Sequence, residues 1–495
     1  MNDKVSVESQ STALGVQDVT VDPSSYRIKK LGLFPLQGKF ENSISSESES
    51  DKTDPNFYNL IPQVDSIVIT EGLQQNGIHV TMHCIDAVGI LERLRIQGGE
   101  EIHMIIEQRN INTAFHVLLP GSGYGTVTKT IDLKLFISDI KNFEKVNLNT
   151  QKYIIECVTK PAYINQLTVL NTPFNDTPGV LIKKIAGGES PSLGIDTNEW
   201  EDSGYGKKMK GIYPKLRPFD AINWILRNAN DGDTPVFFYE SARDGFQLKS
   251  WEELLSKDPY DEYNNYPYPH NAMKSESGEK LTLESPEYYD TVRKIIQKIT
   301  SKLGFSTYNS ASKGAYASNL SSVDVSTKSF TEKPYEYDID KEKRLNKFKP
   351  FSDKPKFADG SFDKNKNARN FFISENAYAY SNEGNYHSDV KQHIQKVASY
   401  LANMNMMTHE ITIPGDPYLA PGTKITLNLW KIQDGSGQED NPDMEERKKG
   451  DQFMNGDFII NKIQHWFRPT GYTAELHIIK DSSLLDYEEE GFKIK

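Results

Sequence analysis

The chain has 495 residues, of which 37% are hydrophobic and 25% charged, and its formal net charge is −12. This length exceeds one ordinary core and predicts roughly two to four domains, in a folded, soluble protein with polar insertions. The acidic balance disfavours a freely diffusing nucleic-acid binder, which is more often basic. Aromatic residues reach 11%, which favours β structure or protein interfaces.

The two cysteines, Cys84 and Cys157, are too few for a disulfide framework, and each lies in an alternating apolar run. We expect both to be buried free thiols. The first residues lack a basic flank followed by an apolar core, so no secretory signal is expected. The sequence contains no run of about 18 apolar residues, which predicts no membrane insertion and folding in a reducing cytoplasm.

Residues 1–56 are polar and include a Ser/Glu tract from Glu41 to Asp54, which predicts a flexible N-terminal arm. Residues 57–170 repeat a period-two alternation of apolar and polar positions, with turn signals between the runs. This pattern predicts an antiparallel sheet closed into a first β-barrel domain. The clearest inward-facing sets are Ile78, Val80, Met82 and Cys84 in one run, and Ile131, Leu133, Leu135 and Ile137 in another.

Residues 171–310 are predicted to form a mixed α/β domain. Pro218 marks the start of an amphipathic helix, because proline is favoured in the first helical turn. A longer helix is predicted from a Ser285 cap, with Pro286 at its first position, to a Gly304 stop. Its apolar stripe consists of Tyr288, Val292, Ile295, Ile296, Ile299 and Leu303.

Residues 311–380 are rich in Ser, Lys and Asp with scattered aromatics, and predict a loop-rich insertion. Residues 381–482 predict a second β-barrel domain that opens with an amphipathic helix. Residues 483–495 form an acidic C-terminal tail. The predicted fold class is therefore α+β and β-rich, with two antiparallel β-barrels and intervening α/β segments.

The stretch FFYESARDGFQLKSWEELL, from Phe237 to Leu255, concentrates charged and aromatic residues. It predicts a strand buried on both faces, a tight Asp244-Gly245 turn and a returning strand. Ser250 and Glu253 fit a reciprocal capping box, in which each side chain accepts from the other residue's amide. The residues to which we assign a structural or interface role are Phe238, Tyr239, Gly245, Phe246, Leu248, Ser250, Trp251 and Glu253.

Signatures of enzymatic chemistry are absent from the sequence. It contains no phosphate-binding loop, dinucleotide fingerprint, nucleophile elbow or H-E-x-x-H motif. The ten histidines do not show metal-ligand spacing, and adjacent carboxylates such as Glu252 and Glu253 are typical of solvated or first-turn helix charges. We therefore predict no catalytic residue, no cofactor and no metal ligand.

The order of these features resembles the central hub protein of contractile-tailed phage baseplates of the T-even type. It is also similar to the late-control hub proteins of other phages and to the N-terminal part of secretion-system spike proteins. The resemblance runs from Ile61 to Asp481 and is strongest over Pro414–Ile425 and the closing strand pair from Gly456. The chain departs from the family pattern in its long N-terminal arm and in the loop from Asp434 to Asp451.

The resemblance implies a non-enzymatic homotrimer in which each subunit carries two tail-tube-like barrels, so that three subunits make a six-barrel ring. One face of the ring is expected to hold the central spike protein. The other is expected to hold the tail tube, a tube-initiator protein or the end of the tape-measure protein. DNA would pass through the channel during ejection without specific binding, since an acidic lumen repels phosphate. The expected location is the virion tail baseplate, after assembly in the host cytoplasm.

Two other functions stay open at this point. A tail-associated cell-wall or polysaccharide hydrolase would need two carboxylates held across a sugar cleft, for which Glu240 and Asp244 are candidates. A glycan- or cell-surface-binding β protein is suggested by the tyrosine-rich loop from Asp261 to His270.

Overall fold

The structure is a computed structural model, and its architecture is β-rich α+β. A 13-stranded, mainly antiparallel sheet dominates it. This confirms the predicted fold class. The residues that the structure describes are 24–35, 57–108, 129–188, 191–200, 204–265, 292–303, 307–325, 327–337, 344–346, 369–375, 390–405, 407–429 and 454–484.

The N-terminal half of the large sheet is a first β-unit with its own core. Its strands are β1 (Tyr26–Phe34), β2 (Tyr58–Asn59), β3 (Val64–Gly72), β4 (His79–Asp86), β5 (Glu101–Gln108), β6 (Lys129–Asn147) and β7 (Thr150–Thr159). A short helix, α1 (Ile90–Leu94), follows β4. The pairing order is β3-β4-β7-β6-β5-β1-β2, and every pair is antiparallel. The predicted inward sets of β4 and β6 are buried, as are Cys84 and Cys157, which are free thiols.

Strand β1 corrects the prediction of a flexible arm over residues 1–56. It pairs with β5 along its whole length, with a bulge between Ile28 and Lys30. The bulge shifts the alternation by one residue, so that Tyr26 and Ile28 on one side of it and Leu31 and Leu33 on the other all face the core. Polar residues surround this strand, and the bulge shifts its alternation by one position. A strict alternation with a period of two therefore did not predict the strand.

The middle of the chain packs helices against two small two-stranded sheets. Its elements are α2 (Lys160–Leu167), β8 (Pro173–Asp176), α3 (Pro178–Gly187), β9 (Met209–Ile212), α4 (Pro218–Leu226), β10 (Val236–Ser241), β11 (Gly245–Ser250) and α5 (Trp251–Leu255). Each of α2, α3 and α4 has proline in its first turn, where the missing amide costs no hydrogen bond. The helix predicted at Pro218 is confirmed.

The remaining elements complete the large sheet and add a small one. In chain order they are β12 (Glu262–Asn264), β13 (Lys298–Leu303), α6 (Thr307–Ser312), β14 (Ala317–Asp324), β15 (Ser329–Glu336), β16 (Asn370–Glu375), α7 (Val390–Asn403), β17 (Met407–Pro414), β18 (Lys424–Asn428), β19 (Gly456–Arg468) and β20 (Gly471–Lys480). Strands β12, β13 and β17–β20 enclose the core of a second β-unit. The large sheet runs open from β13 to β2, so pairing that would close either unit into a barrel is not found among the described strands.

The helix predicted from Ser285 to Gly304 is wrong in its second half. Residues 298–303 form β13, which pairs antiparallel with β17 and sets Ile299 opposite Ile411. The β-branched residues of this segment fit an alternating period as well as a helical one, and pairing with β17 decides between the two. The first part of the predicted helix, residues 285–291, lies outside the described residues.

The loop-rich insertion predicted for residues 311–380 contains a three-stranded sheet, β15-β14-β16. Its inward positions on β14 include Ser318, Ser322 and Asp324, so the run lacks apolar alternation. Helix α7 packs on this polar face at Ser318, where the Gln395 amide donates to the Ser318 carbonyl over 3.1 Å and to its hydroxyl over 3.2 Å. Hydrophobic periodicity in the sequence therefore did not predict β14. The domain boundaries proposed from the sequence stay predictions.

The two β-units are joined through the long hairpin β19–β20. The second half of β19 pairs with β3, from Lys462 opposite Gly72 to Phe467 opposite Ile67. Phe467 and Tyr472, at the hairpin's end, lie in the core of the first unit and stack with ring centroids 4.2 Å apart. Because these two rings belong to the last described strands, the first unit's core is incomplete without this hairpin.

A buried carboxylate secures the same joint beside the sheet. Asp416 is 1% exposed and follows β17. It accepts from Lys129 of the first unit over 2.7 Å, from Arg293 over 2.8 Å and from Tyr260 over 2.9 Å. Burial raises the pKa of this carboxyl, but the Lys129 ammonium and the hydrogen bonds outweigh burial and hold its pKa below its usual range. Asp416 is therefore ionised and fully paired.

We expect Asp416→Asn to lower the free energy of unfolding by about 3–5 kcal/mol, because it removes a buried charge, leaves the half-buried Lys129 without its carboxylate partner and leaves Arg293 to its pairing with Asp261. Urea-induced unfolding followed by tryptophan fluorescence measures the loss. Asp132→Asn is the matched control: its side chain is 60% exposed and pairs with His103, and its loss should stay under about 1 kcal/mol. Equal losses for the two variants would contradict the assigned role of Asp416.

Candidate functional site at the central hairpin

The stretch singled out in the sequence forms the predicted hairpin. Strands β10 and β11 pair in register from Val236 opposite Ser250 to Ser241 opposite Gly245. Gly245 has φ +66°, a left-handed conformation that favours glycine. The Ser241 hydroxyl accepts from the Asp244 amide over 3.0 Å and closes the turn. The local turn chemistry thus places the returning strand as predicted.

The hairpin is buried on both faces by other parts of the same chain. One face contributes to the core of the middle region, and the other lies where the middle region meets both β-units. The first face carries Val236, Phe238, Phe246 and Leu248, and the second carries Phe237 and Tyr239, followed by Trp251 and Leu254 of α5. The second face contacts a cluster that includes Leu73 from the first unit and Ile459 and Ile479 from the second. The hairpin is therefore an interface within the chain, and contact of these residues with other proteins stays a prediction.

Of the reciprocal capping box predicted for α5, the structure contains the half made by Ser250. The Ser250 hydroxyl accepts from the Glu253 amide over 3.1 Å, as expected, and donates to Asp231 over 2.7 Å. The Glu253 carboxylate does not complete the reciprocal box: it accepts from the Tyr205 hydroxyl over 2.8 Å and pairs with Lys249 over 3.2 Å. These partners lie elsewhere in the sequence or on the adjacent strand, so the capping pattern did not reveal them.

Glu240 ties the hairpin to the first β-unit. Its Oε2 accepts from the Ile78 amide over 2.9 Å and from the Thr159 hydroxyl over 2.7 Å, and the residue is 7% exposed. Burial raises the pKa of Glu240 to about 7, although these two hydrogen bonds oppose the rise. A carboxyl group thus joins β10 to the segment before β4 and to the end of β7.

A second buried carboxyl, Glu71 on β3, lies under the hairpin turn. It is fully buried, and its Oε1 is 3.7 Å from Nε2 of His465 on β19, whose Nδ1 lies 2.7 Å from the Tyr472 hydroxyl. Burial raises the pKa of Glu71 to about 8 and lowers that of His465 to about 4. Sequence reasoning missed this cluster. The available signal was a glutamate on the inward face of β3, two positions after the buried Ile69.

The two carboxylates considered for hydrolysis have different surroundings. Glu240 is enclosed between the hairpin and the first unit, whereas the Asp244 side chain is 40% exposed and pairs with Arg243 over 2.6 Å. An acid–base pair across a sugar cleft needs both groups to face the same open space, which this arrangement does not provide. Among the described residues, no group of three or more His, Cys, Asp or Glu side chains could hold a metal ion.

No described helix is both long enough and apolar enough to cross a bilayer.

Comparison with known proteins gives likenesses at the level of the fold. No protein-family model and no curated protein matches the chain. The fold is similar to that of a tail protein from Neisseria meningitidis MC58, with 9% identity, a TM-score of 0.48 and coverage of 92% of this chain and 97% of that chain. The fold is also similar to that of a 43 kDa tail protein of prophage MuSo2 from Shewanella oneidensis. The identity is 10%, the TM-score is 0.46, and the match covers 92% of this chain and 99% of that chain.

A third similar structure is an E. coli component of the type VI secretion system, described as structurally similar to T4 bacteriophage tail proteins. It is 8% identical, with a TM-score of 0.38 and coverage of 86% of this chain and 75% of that chain. These neighbours are phage tail and secretion-system proteins, and at TM-scores below 0.5 they carry no argument about what this chain does.

We expect Gly422→Ala to lower the free energy of unfolding more than Gly245→Ala. Both glycines have positive φ, +76° and +66°, so alanine meets a similar backbone cost of roughly 1–2 kcal/mol. A Cβ at Gly422 would lie 2.8 Å from the Tyr239 hydroxyl, whereas one at Gly245 meets nothing within 4 Å. Overpacking should add about 1–3 kcal/mol at Gly422 alone, measured by urea unfolding. Equal losses would mean that Tyr239 does not hold the hairpin against the second unit.

Proposed function

We propose that this chain is the structural hub of a phage tail baseplate. In this proposal it forms a homotrimeric ring that joins the central spike to the tail tube or tube-initiator protein and lets DNA pass during ejection. The observation that carries the proposal is the joining of two β-units into one sheet through the pairing of β19 with β3. The resemblance in sequence pattern, strongest over Pro414–Ile425 and the closing strand pair, supports it, since these segments build that joint.

A rigid pair of β-units suits a symmetry adaptor. Three subunits can present six similar units to a sixfold tube only if the two units of each subunit keep a set relative position. Backbone pairing, the shared Phe467 and Tyr472 rings and the buried Asp416 pairing all restrict movement between the units. A protein whose units moved freely could not hold neighbouring positions in a ring.

The charged groups of the central region support a structural role over a catalytic one. Glu240 accepts two hydrogen bonds within the chain, Glu253 accepts from Tyr205, and Asp416 is fully paired. Each carboxyl group connects elements of the same chain, and those of Glu240 and Asp416 are buried. We therefore favour a non-enzymatic protein over a tail-associated hydrolase.

An exposed arm supplies a surface for contact between subunits. Strand β6 continues past its pairing with β5, which ends at Phe136, and runs beside β7 to the turn between Asn147 and Thr150. Phe143, Val146 and Leu148 on this arm, residues 138–149, are 52%, 48% and 103% exposed. Large apolar side chains grouped on one exposed segment are typical of protein contacts. We propose a second copy of this chain as the partner, because the proposed trimer places β-units of neighbouring subunits side by side.

The full-length chain is expected to be a trimer of about 169 kDa in solution, three times its mass of 56.2 kDa. Light scattering coupled to size-exclusion chromatography measures this. The double variant Phe143→Asp/Leu148→Asp should shift the population towards monomer, because burying two new carboxylates opposes association. Lys145→Asp, which adds a carboxylate at an exposed polar position of the same arm, should remain trimeric.

A clean monomer at micromolar concentration, without spike protein present, would argue against the hub. Trimers that survive the double variant unchanged would instead place the subunit contact away from the arm.

The purified protein is expected to show no turnover of peptidoglycan or polysaccharide, because Glu240 is enclosed and Asp244 does not share its surroundings. Release of reducing sugars over time is the measurement. The hydrolase would replace the hub as our conclusion if turnover were found and were abolished by Glu240→Ala or Asp244→Ala in variants whose circular dichroism matches that of the parent protein.

A further inference from the structure

The central hairpin packs on the first β-unit at a seam that buries two carboxyl groups, one from each side. Glu240 extends from β10 to the Ile78 amide and the Thr159 hydroxyl of the first unit. Glu71 extends from β3 towards the turn that links β10 and β11, and the amide of Ala242 and the charges of Arg243 and Asp244 act on it. Neither position requires a carboxylate for packing, since an amide has nearly the same shape.

No lysine or arginine in the described part of the chain forms an ion pair with either carboxyl group. Arg243, the nearest candidate, pairs with Asp244 and donates to the Tyr418 carbonyl over 2.7 Å. Both oxygens of Glu71 are buried without a geometrically sound hydrogen bond, and Nε2 of His465 lacks one as well. An ionised carboxylate in either place would face a large desolvation cost without a paired charge.

The titratable groups that face Glu71 lie on β19, β20 and the hairpin. They are His465 on β19, Tyr472 on β20, and Glu240, Arg243 and Asp244 on the hairpin. Apart from Arg243, which is engaged elsewhere, they are acidic or neutral under physiological conditions. The surroundings therefore favour the protonated form of both glutamates.

We propose that this seam is a pH-sensitive latch: protonated Glu71 and Glu240 hold the hairpin docked on the first β-unit, and loss of their protons to solvent releases it. Release hydrates both carboxylates and breaks the two hydrogen bonds that Glu240 accepts. The latch concerns contacts within a single chain, so it stands or fails independently of the proposed hub function.

The direction in which hairpin docking depends on pH follows from the pKa shifts of the two glutamates. In the docked state, burial raises the pKa of Glu71 to about 8 and that of Glu240 to about 7, against an ordinary value of 4.5 once hydrated. Docking is therefore strongest below the ordinary value and weakens as pH rises towards each docked pKa, by up to about tenfold per pH unit for each carboxyl. His465, whose pKa burial lowers to about 4, stays neutral across this window and exchanges no proton.

Hydrogen exchange of the full-length chain, read by mass spectrometry, tests the latch. Peptides from 236–255 should lose at least tenfold in protection between pH 6 and pH 8.5, after correction for the intrinsic pH dependence of exchange. Peptides from β14 and β15 report the background. In Glu71→Gln/Glu240→Gln the hairpin's protection should become independent of pH. Glu332→Gln, an exposed position on β15, should behave like the parent.

Hairpin protection that falls equally in the double variant and the parent would overturn the proposal. A second measurement keeps it testable if the double variant folds poorly. Carboxyl ¹³C shifts in the parent protein should show two glutamates that titrate near pH 7 and 8. If every glutamate of the parent titrated near its ordinary value, the latch would be excluded.

Discussion

One hairpin, β19–β20, belongs to two cores at once, and the rest of the architecture depends on it. Its backbone joins the two halves of the large sheet through β3, while Phe467 and Tyr472 fill the core of the first unit. The chain must therefore bring residues near position 70 together with residues near position 465 before the first unit's core is complete. Such long-range pairing carries a large loop-closure cost, and once it has formed the first unit cannot lose the hairpin without exposing its own apolar core.

The joint is also unusually polar for a place where two units meet. Asp416 gathers two cations and a tyrosine, and the Gln108 amide donates to the Gly415 carbonyl over 2.6 Å. Buried ionic groups add little net stability compared with apolar packing, yet leaving one unpaired is costly. Their effect here is to penalise every relative position of the units except the one that pairs them. Specific docking of this kind is what a subunit needs when its two β-units must occupy defined places in a larger assembly.

The central hairpin connects this joint to the middle region. Its aromatic residues contact a cluster that draws on both β-units, and Tyr239 packs closely on Gly422 of the second unit. The charged residues of the Phe237–Leu255 stretch divide into solvated, capping and buried groups. Glu240 belongs to the buried group, and Glu71 of β3 is buried close to it; desolvation rather than an enzymatic partner explains the raised pKa of both. A perturbed carboxyl is therefore not by itself a sign of catalysis in this fold.

The sequence by itself determined the strands with regular alternation, such as β4 and β6, the helix at Pro218 and the Asp244-Gly245 hairpin turn, because these depend on residues two to four positions apart. It misjudged β1, whose bulge shifts the period, β14, whose inward face is polar, and β13, whose β-branched Ile299 and Thr300 suit both a helix and a strand. Only the tertiary structure decided the joining of the two units, the partners of Glu253 and Asp416, and the burial of Glu71. Those depend on contacts between residues far apart in the chain, and local periodicity carries no information about such contacts.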